Sequence, residues 1–213
     1  MKMAKDIVGI ISVGGNAVDS KKKVQRGNIE SDYSKTLENL AKLIKYKNIV
    51  DAEISKIINR PTERGHVGEF IASLIFGIEL EKSAVTRGID GYFKYGKLKG
   101  KSVNIKWYGK NEYILDINKN AIPDYYLVMT GEVSQPQSSI GKKRPWVISH
   151  VYLFNAKELI KKLEERDLKI GIATSVRKKF WEDAEIYPRQ RNKELILTEE
   201  QRKLLDMFNF RKN

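Results

Sequence analysis

The sequence predicts an α/β fold: a mixed, mostly antiparallel sheet of four or five strands with helices packed against it. Three observations predict it. Short extended segments cluster between residues 85 and 154, and helical periodicities flank that run on both sides. One segment, Ser102–Tyr108, alternates strictly, with Val103, Ile105 and Trp107 on one side and Asn104, Lys106 and Tyr108 on the other. Helices before and after a run of strands give a sheet with helices laid on it.

In chain order, Ile7–Val13 reads as a strand ending at Gly14-Gly15, and Lys21-Lys22-Lys23 opens a solvated loop. Ser31 or Asp32 offers an N-cap to a helix carrying Leu37, Leu40, Leu43 and Ile44 on one face. A second helical pattern through Ile49, Ile54, Ile57 and Ile58 stops before Pro61. Residues 1–62 thus read as a helical accessory region. Residues 63–175 follow as the core, and residues 176–213 as a charged C-terminal accessory region.

Within the core, Gly65–Leu80 predicts a helix of about four turns with an apolar stripe of Val67, Phe70, Ile71, Leu74 and Ile75. Glycines and lysines at 96–101 mark a turn that would join two strands as a hairpin. Tyr113–Ile117, Tyr125–Met129 and Val147–Phe154 are further strand candidates, with a polar loop over Ser134–Arg144. A helix is expected from Asn155 or Ala156 to Arg166, and a short strand at Ile170–Ala173. Leu195–Leu197 reads as extended, and Thr198 and Gln201 have capping-box spacing at the head of a closing helix.

Composition narrows the chemistry. The 213 residues include no Cys and two His, His66 and His150, which excludes thiolate zinc sites, Cys nucleophiles and His-rich metal sites. A metal would rest on carboxylate and carbonyl oxygens, which suits Mg²⁺ or Mn²⁺. Forty Lys and Arg against twenty-seven Asp and Glu give a net charge of +13, which favours a polyanion such as nucleic acid. No run approaches the roughly 20 apolar residues of a membrane span, and nothing reads as a signal peptide, so a cytoplasmic protein is expected.

Three charged positions stand out. Glu69 lies amid the apolar stripe of its helix, Asp90 lies in RGIDGYF at a bend or strand start, and Lys106 lies on the polar side of its strand. A hairpin across Gly96–Gly100 would bring Asp90 and Lys106 together. Hydrolysis of a phosphodiester needs such a set: carboxylates to hold a divalent cation, and an ammonium to orient water and offset developing charge. On that reading Asp90 is the central metal ligand, Glu69 a direct or water-bridged one, and the Ile105 carbonyl a third. Asp116 and Asp124 are further carboxylates near strand ends and are not expected in the metal shell.

The order of a helix-borne Glu69, then Asp90, then Asn104-Ile105-Lys106 resembles the PD-(D/E)xK nuclease superfamily over Gly65–Tyr108. Asn104 stands where that pattern has an acidic residue, and it still presents an oxygen to a metal. The resemblance implies a restriction-endonuclease-like fold and Mg²⁺-dependent cleavage of double-stranded DNA, with Lys106, Asp90 and Glu69 catalytic and Asn104 and Ile105 completing the metal shell. It further implies a type II restriction endonuclease acting as a homodimer, which can have a cognate methyltransferase for the same site. The rivals are a repair or junction-resolving nuclease and a nuclease-like module that binds nucleic acid without cutting. Arg87, the run Arg177-Lys178-Lys179 and the pair Arg189 and Arg191 are the expected DNA contacts.

Overall fold

The computed structural model describes residues 26–81, 88–134 and 144–209, with side chains from residue 33 onward. The chain divides into two compact units, Met1–Val50 and Asp51–Asn213. The expected strand at Ile7–Val13, most of the Ser134–Arg144 loop and Arg87 lie outside the described residues.

The first helix, α1, runs unbroken over Arg26–Ile58, where the sequence suggested two helices starting at Ser31 or Asp32. No Gly or Pro interrupts the stretch after Gly27, so nothing local stops the helix before the Asn59–Pro61 segment. In the first unit, Leu37, Leu40, Leu43 and Ile44 are all exposed.

The second unit holds the sheet. Helix α2 covers Arg64–Phe76 and is shorter than predicted: Gly77 takes a left-handed conformation (φ 63°) and closes it through an N–H bond to the Ser73 carbonyl. Ile78–Leu80, read as helical from the sequence, instead forms strand β1. Strands β2 (Gly91–Phe93), β3 (Ser102–Tyr108), β5 (Tyr125–Thr130), β6 (His150–Asn155) and β8 (Glu185–Tyr187) complete six strands in the order β1-β2-β3-β5-β6-β8. Only β3 and β5 pair in parallel, and the other four pairings are antiparallel. The sheet is thus mixed and flanked by helices, one strand wider than expected because β8 joins it from the C-terminal region. The pair β4 (Ile114–Leu115) and β7 (Thr174–Ser175) stands apart. Strand β4 is shorter than predicted, and β7 lies just after Ile170–Ala173, which is not a strand.

The alternation of β3 positions the site. Val103, Ile105 and Trp107 join one core with Ile71 and Ile75 of α2. On the opposite face, Tyr126, Val128, Tyr152 and Phe154 form a second core with helices α3 (Ala156–Glu164) and α4 (Lys178–Ala184). All six residues of β5 are buried, as befits a central strand covered on both faces. Asn155 caps α3 by accepting the Glu158 N–H, and Thr198 and Gln201 form the predicted capping box of α5 (Glu199–Asp206). No described helix is long and apolar enough to cross a membrane.

Candidate active site

Asp90 occupies the bend immediately before β2. Its N–H donates to the Val103 carbonyl at 2.9 Å, and its Oδ2 accepts the Ile105 N–H at 2.6 Å. The bend is held by glycine on both sides. Gly88 has φ 78°, and a Cβ on Gly91 would lie 2.4 Å from the Glu79 carbonyl oxygen across the β1–β2 pair. The N–H and C=O of one strand residue point to the same edge, so the Ile105 carbonyl faces the Asp90 side, beyond the last residue of β3 that pairs with β2.

Asp90, Asn104 and Lys106 line one cleft of about 620 Å³. Asp116, Asn118, Lys119 and the Ile170–Ile172 loop also line it. Burial pushes the Asp90 carboxyl above its ordinary value, and the charge of Glu69 adds to that. The Ile105 N–H and the charges of Lys106 and Arg60 act in the opposite direction. Glu69 and Lys106 therefore both lie within electrostatic reach of Asp90. Among the described residues Lys106 forms no ion pair, which leaves its ammonium available to an anion.

Glu69 stands off the cleft wall. Its Oε2 receives Arg60 Nη1 at 2.5 Å, with the Glu69 side chain 20% exposed and Arg60 42%. Arg64, on the same helix as Glu69, bonds the Arg144 carbonyl. Arg60 belongs to no motif in the sequence; it directly precedes Pro61, and the turn there brings it onto Glu69 of α2.

The remaining carboxylates nearby are committed elsewhere. Asp116 accepts the Ala173 N–H on Oδ1 and the Tyr108 hydroxyl on Oδ2. Asp124 accepts the Ser102 N–H and hydroxyl and meets Lys101 at 3.4 Å. Although partial burial opposes it, those bonds hold Asp124 below its ordinary value.

Asn104 is 5% exposed, and its Oδ1 is buried with no hydrogen-bond partner. A buried oxygen without a partner, lining the same cleft as a carboxylate, is a donor that a cation would satisfy. Among the described residues no group of three or more His, Cys, Asp or Glu converges. The donors here are instead one carboxylate, an amide oxygen and a strand carbonyl, while Glu69 acts on the Asp90 charge from outside the cleft lining. All are hard oxygen donors, and they fit Mg²⁺ or Mn²⁺.

The Tyr126 hydroxyl is a second orphan on the same cleft wall, and burial pushes it up to about 12. Nothing in the run Tyr125–Met129 singles it out, because its importance depends on pairing register.

Among the described residues, the expected DNA contacts lie outside this cleft. Arg177 is the N-cap of α4, Lys178 and Lys179 pair with Glu182 and Asp183, and Arg191 pairs with Glu182 and Glu185. Lys178, Arg189 and Arg191 line a separate cleft with Trp181, which shares no lining residue with the first.

The chain matches no protein-family model, and no curated protein matches it. Function therefore has to be read from geometry and charge.

Proposed function

We propose that this protein is a divalent-metal-dependent endodeoxyribonuclease of the restriction-endonuclease-like PD-(D/E)xK type. The observation that carries the reading is the convergence of Asp90, the orphaned Asn104 oxygen and Lys106 on one cleft, with Glu69 within electrostatic reach. The sheet is compatible with that fold: an antiparallel β1-β2-β3 meander followed by a parallel neighbour of β3.

Asp90, Asn104 and the Ile105 carbonyl would hold Mg²⁺ or Mn²⁺, with Glu69 a fourth donor. The bound metal would polarise the scissile phosphate and acidify water. Lys106 orients the attacking water and offsets charge on the phosphate as the bond breaks. The Ile105 N–H bond fixes the Asp90 carboxylate in place before any ligand arrives. The net charge of +13 draws the duplex in. A type II restriction enzyme acting as a homodimer on a palindrome is the form we favour, since two-fold symmetry matches a double-strand cut.

One observation favours the rival in which the chain binds nucleic acid without cutting: Arg60 already occupies Glu69. Plasmid digestion with Mg²⁺, using Asp90→Ala and Lys106→Ala beside the wild type, separates the two. Cutting by the wild type that is lost in both variants supports the nuclease. Metal-independent cutting, or none on duplex, branched and single-stranded DNA, overturns it.

A further inference from the structure

The cleft wall carries two buried polar atoms that folding leaves without a partner, Asn104 Oδ1 and the Tyr126 hydroxyl. Asn104 and Tyr126 are direct register partners on the parallel strands β3 and β5, so both project from the same face of the sheet. Lys106, two residues further along β3, lies diagonal to Tyr126 on that face and lines the same cleft. Tyr126 otherwise behaves as a core residue: it is 2% exposed and packs in the second core. Phenylalanine would fill that space without burying an unpaired hydroxyl, which is an avoidable cost to the folded state. Such a cost at a cleft wall marks a group whose partner arrives with the ligand.

The ligand's chemistry follows from the donors. Tyr126 and Lys106 both offer protons, and Lys119, paired with Glu164 at 3.7 Å, lines the same cleft. Two converging donors beside an oxygen-donor metal set suit a tetrahedral anion with several acceptor oxygens. We propose that the Tyr126 hydroxyl donates a hydrogen bond to a non-bridging phosphate oxygen of the bound nucleic acid, alongside Lys106. This rests on the phosphodiester reading above and adds a substrate-binding residue to it.

The test measures binding of a short DNA duplex in Ca²⁺ to the wild type and to Tyr126→Phe, together with thermal unfolding of each without DNA. A donor to phosphate predicts binding weakened by about tenfold, since a bond to a charged acceptor is lost. Unfolding should occur at an equal or higher temperature, since an unpaired buried hydroxyl has been removed. Equal affinity for the two proteins overturns the proposal, as does a wild type that binds no duplex. A lower unfolding temperature for Tyr126→Phe also overturns it, because the hydroxyl would then have a partner inside the protein. Binding that depends on Tyr126 in a protein that never cuts sinks the nuclease reading and leaves this one standing. Mg²⁺-dependent cutting with unchanged binding by Tyr126→Phe does the reverse.

Discussion

The carboxylate of Asp90 accepts the backbone N–H of Ile105 at 2.6 Å, which ties the bend before β2 to the middle of β3. One side chain thus closes the sheet edge and presents a charge to the cleft. Replacing it separates those roles. Asp90→Asn keeps an oxygen for the Ile105 N–H, so stability should change little. Asp90→Ala leaves that N–H unpaired and should cost about 1–3 kcal/mol. Both should lose on the order of 10²-fold or more in cleavage rate. Urea unfolding and plasmid digestion read the two effects, and an Asp90→Asn protein that cuts like the wild type would remove Asp90 from the site.

The same carboxyl sets a pH dependence. Burial raises its proton affinity in the folded state above that of the unfolded chain. The folded protein therefore binds more protons between the two values, and this contribution to stability falls as pH rises above about 4. Asp124 acts with the opposite sign: its depressed folded value contributes stability that is lost as pH falls. Unfolding titrations of Asp90→Asn without metal should lack the Asp90 component and keep that of Asp124. A saturating divalent cation should suppress the Asp90 component in the wild type, because it favours the charged form.

Arg60 is paired with Glu69, so on the proposed reading it would compete with a cation there. Arg60→Ala should change stability by no more than about 1 kcal/mol, since the pair is partly exposed. It should also tighten Mn²⁺ binding in calorimetric titration, whereas Glu69→Gln should weaken it. Unchanged affinity in both variants would take Glu69 out of the metal shell.

Asn104→Asp would supply the acidic residue of the family pattern. Without metal it adds a buried carboxylate close to Asp90 and should lower the unfolding temperature. With Mn²⁺ or Mg²⁺ it should gain more than the wild type does, because ligand stabilisation grows with affinity. An equal metal-induced shift in the two proteins would show that position 104 does not touch the ion.

The tight β1–β2 approach gives a structural prediction with its own control. Gly91→Ala puts a methyl 2.4 Å from a backbone oxygen that cannot rotate away, so a loss of roughly 2–3 kcal/mol is expected, together with displacement of Asp90. Gly65→Ala in α2 meets nothing within 4 Å and should stabilise by up to about 1 kcal/mol. Chemical denaturation of the two variants checks both signs.

Much of the fold was legible because its signals are local. The alternation of Ser102–Tyr108, the capping box at Thr198 and the helix start at Asn155 or Ala156 each rest on a few neighbouring residues, and each is present. Glu79 and its neighbours read as helix because an apolar run of that length is ambiguous, and the pairing of β1 with β2 decided against it. Within Tyr113–Ile117 only Ile114–Leu115 is extended, as β4, because the pairing with β7 spans two residues.

For the site, composition alone restricted the metal chemistry to oxygen donors and favoured a polyanionic partner, because those conclusions depend on which residues exist and not on where they lie. Tertiary structure decided which carboxylates are free. It engaged Asp116 with a distant loop, bound Asp124 to Ser102, turned Arg60 onto Glu69 and set Tyr126 beside Asn104. Each of those contacts depends on strand register or chain reversal, which bring residues together through packing across the whole sheet. A pattern of three or four residues carries no such information.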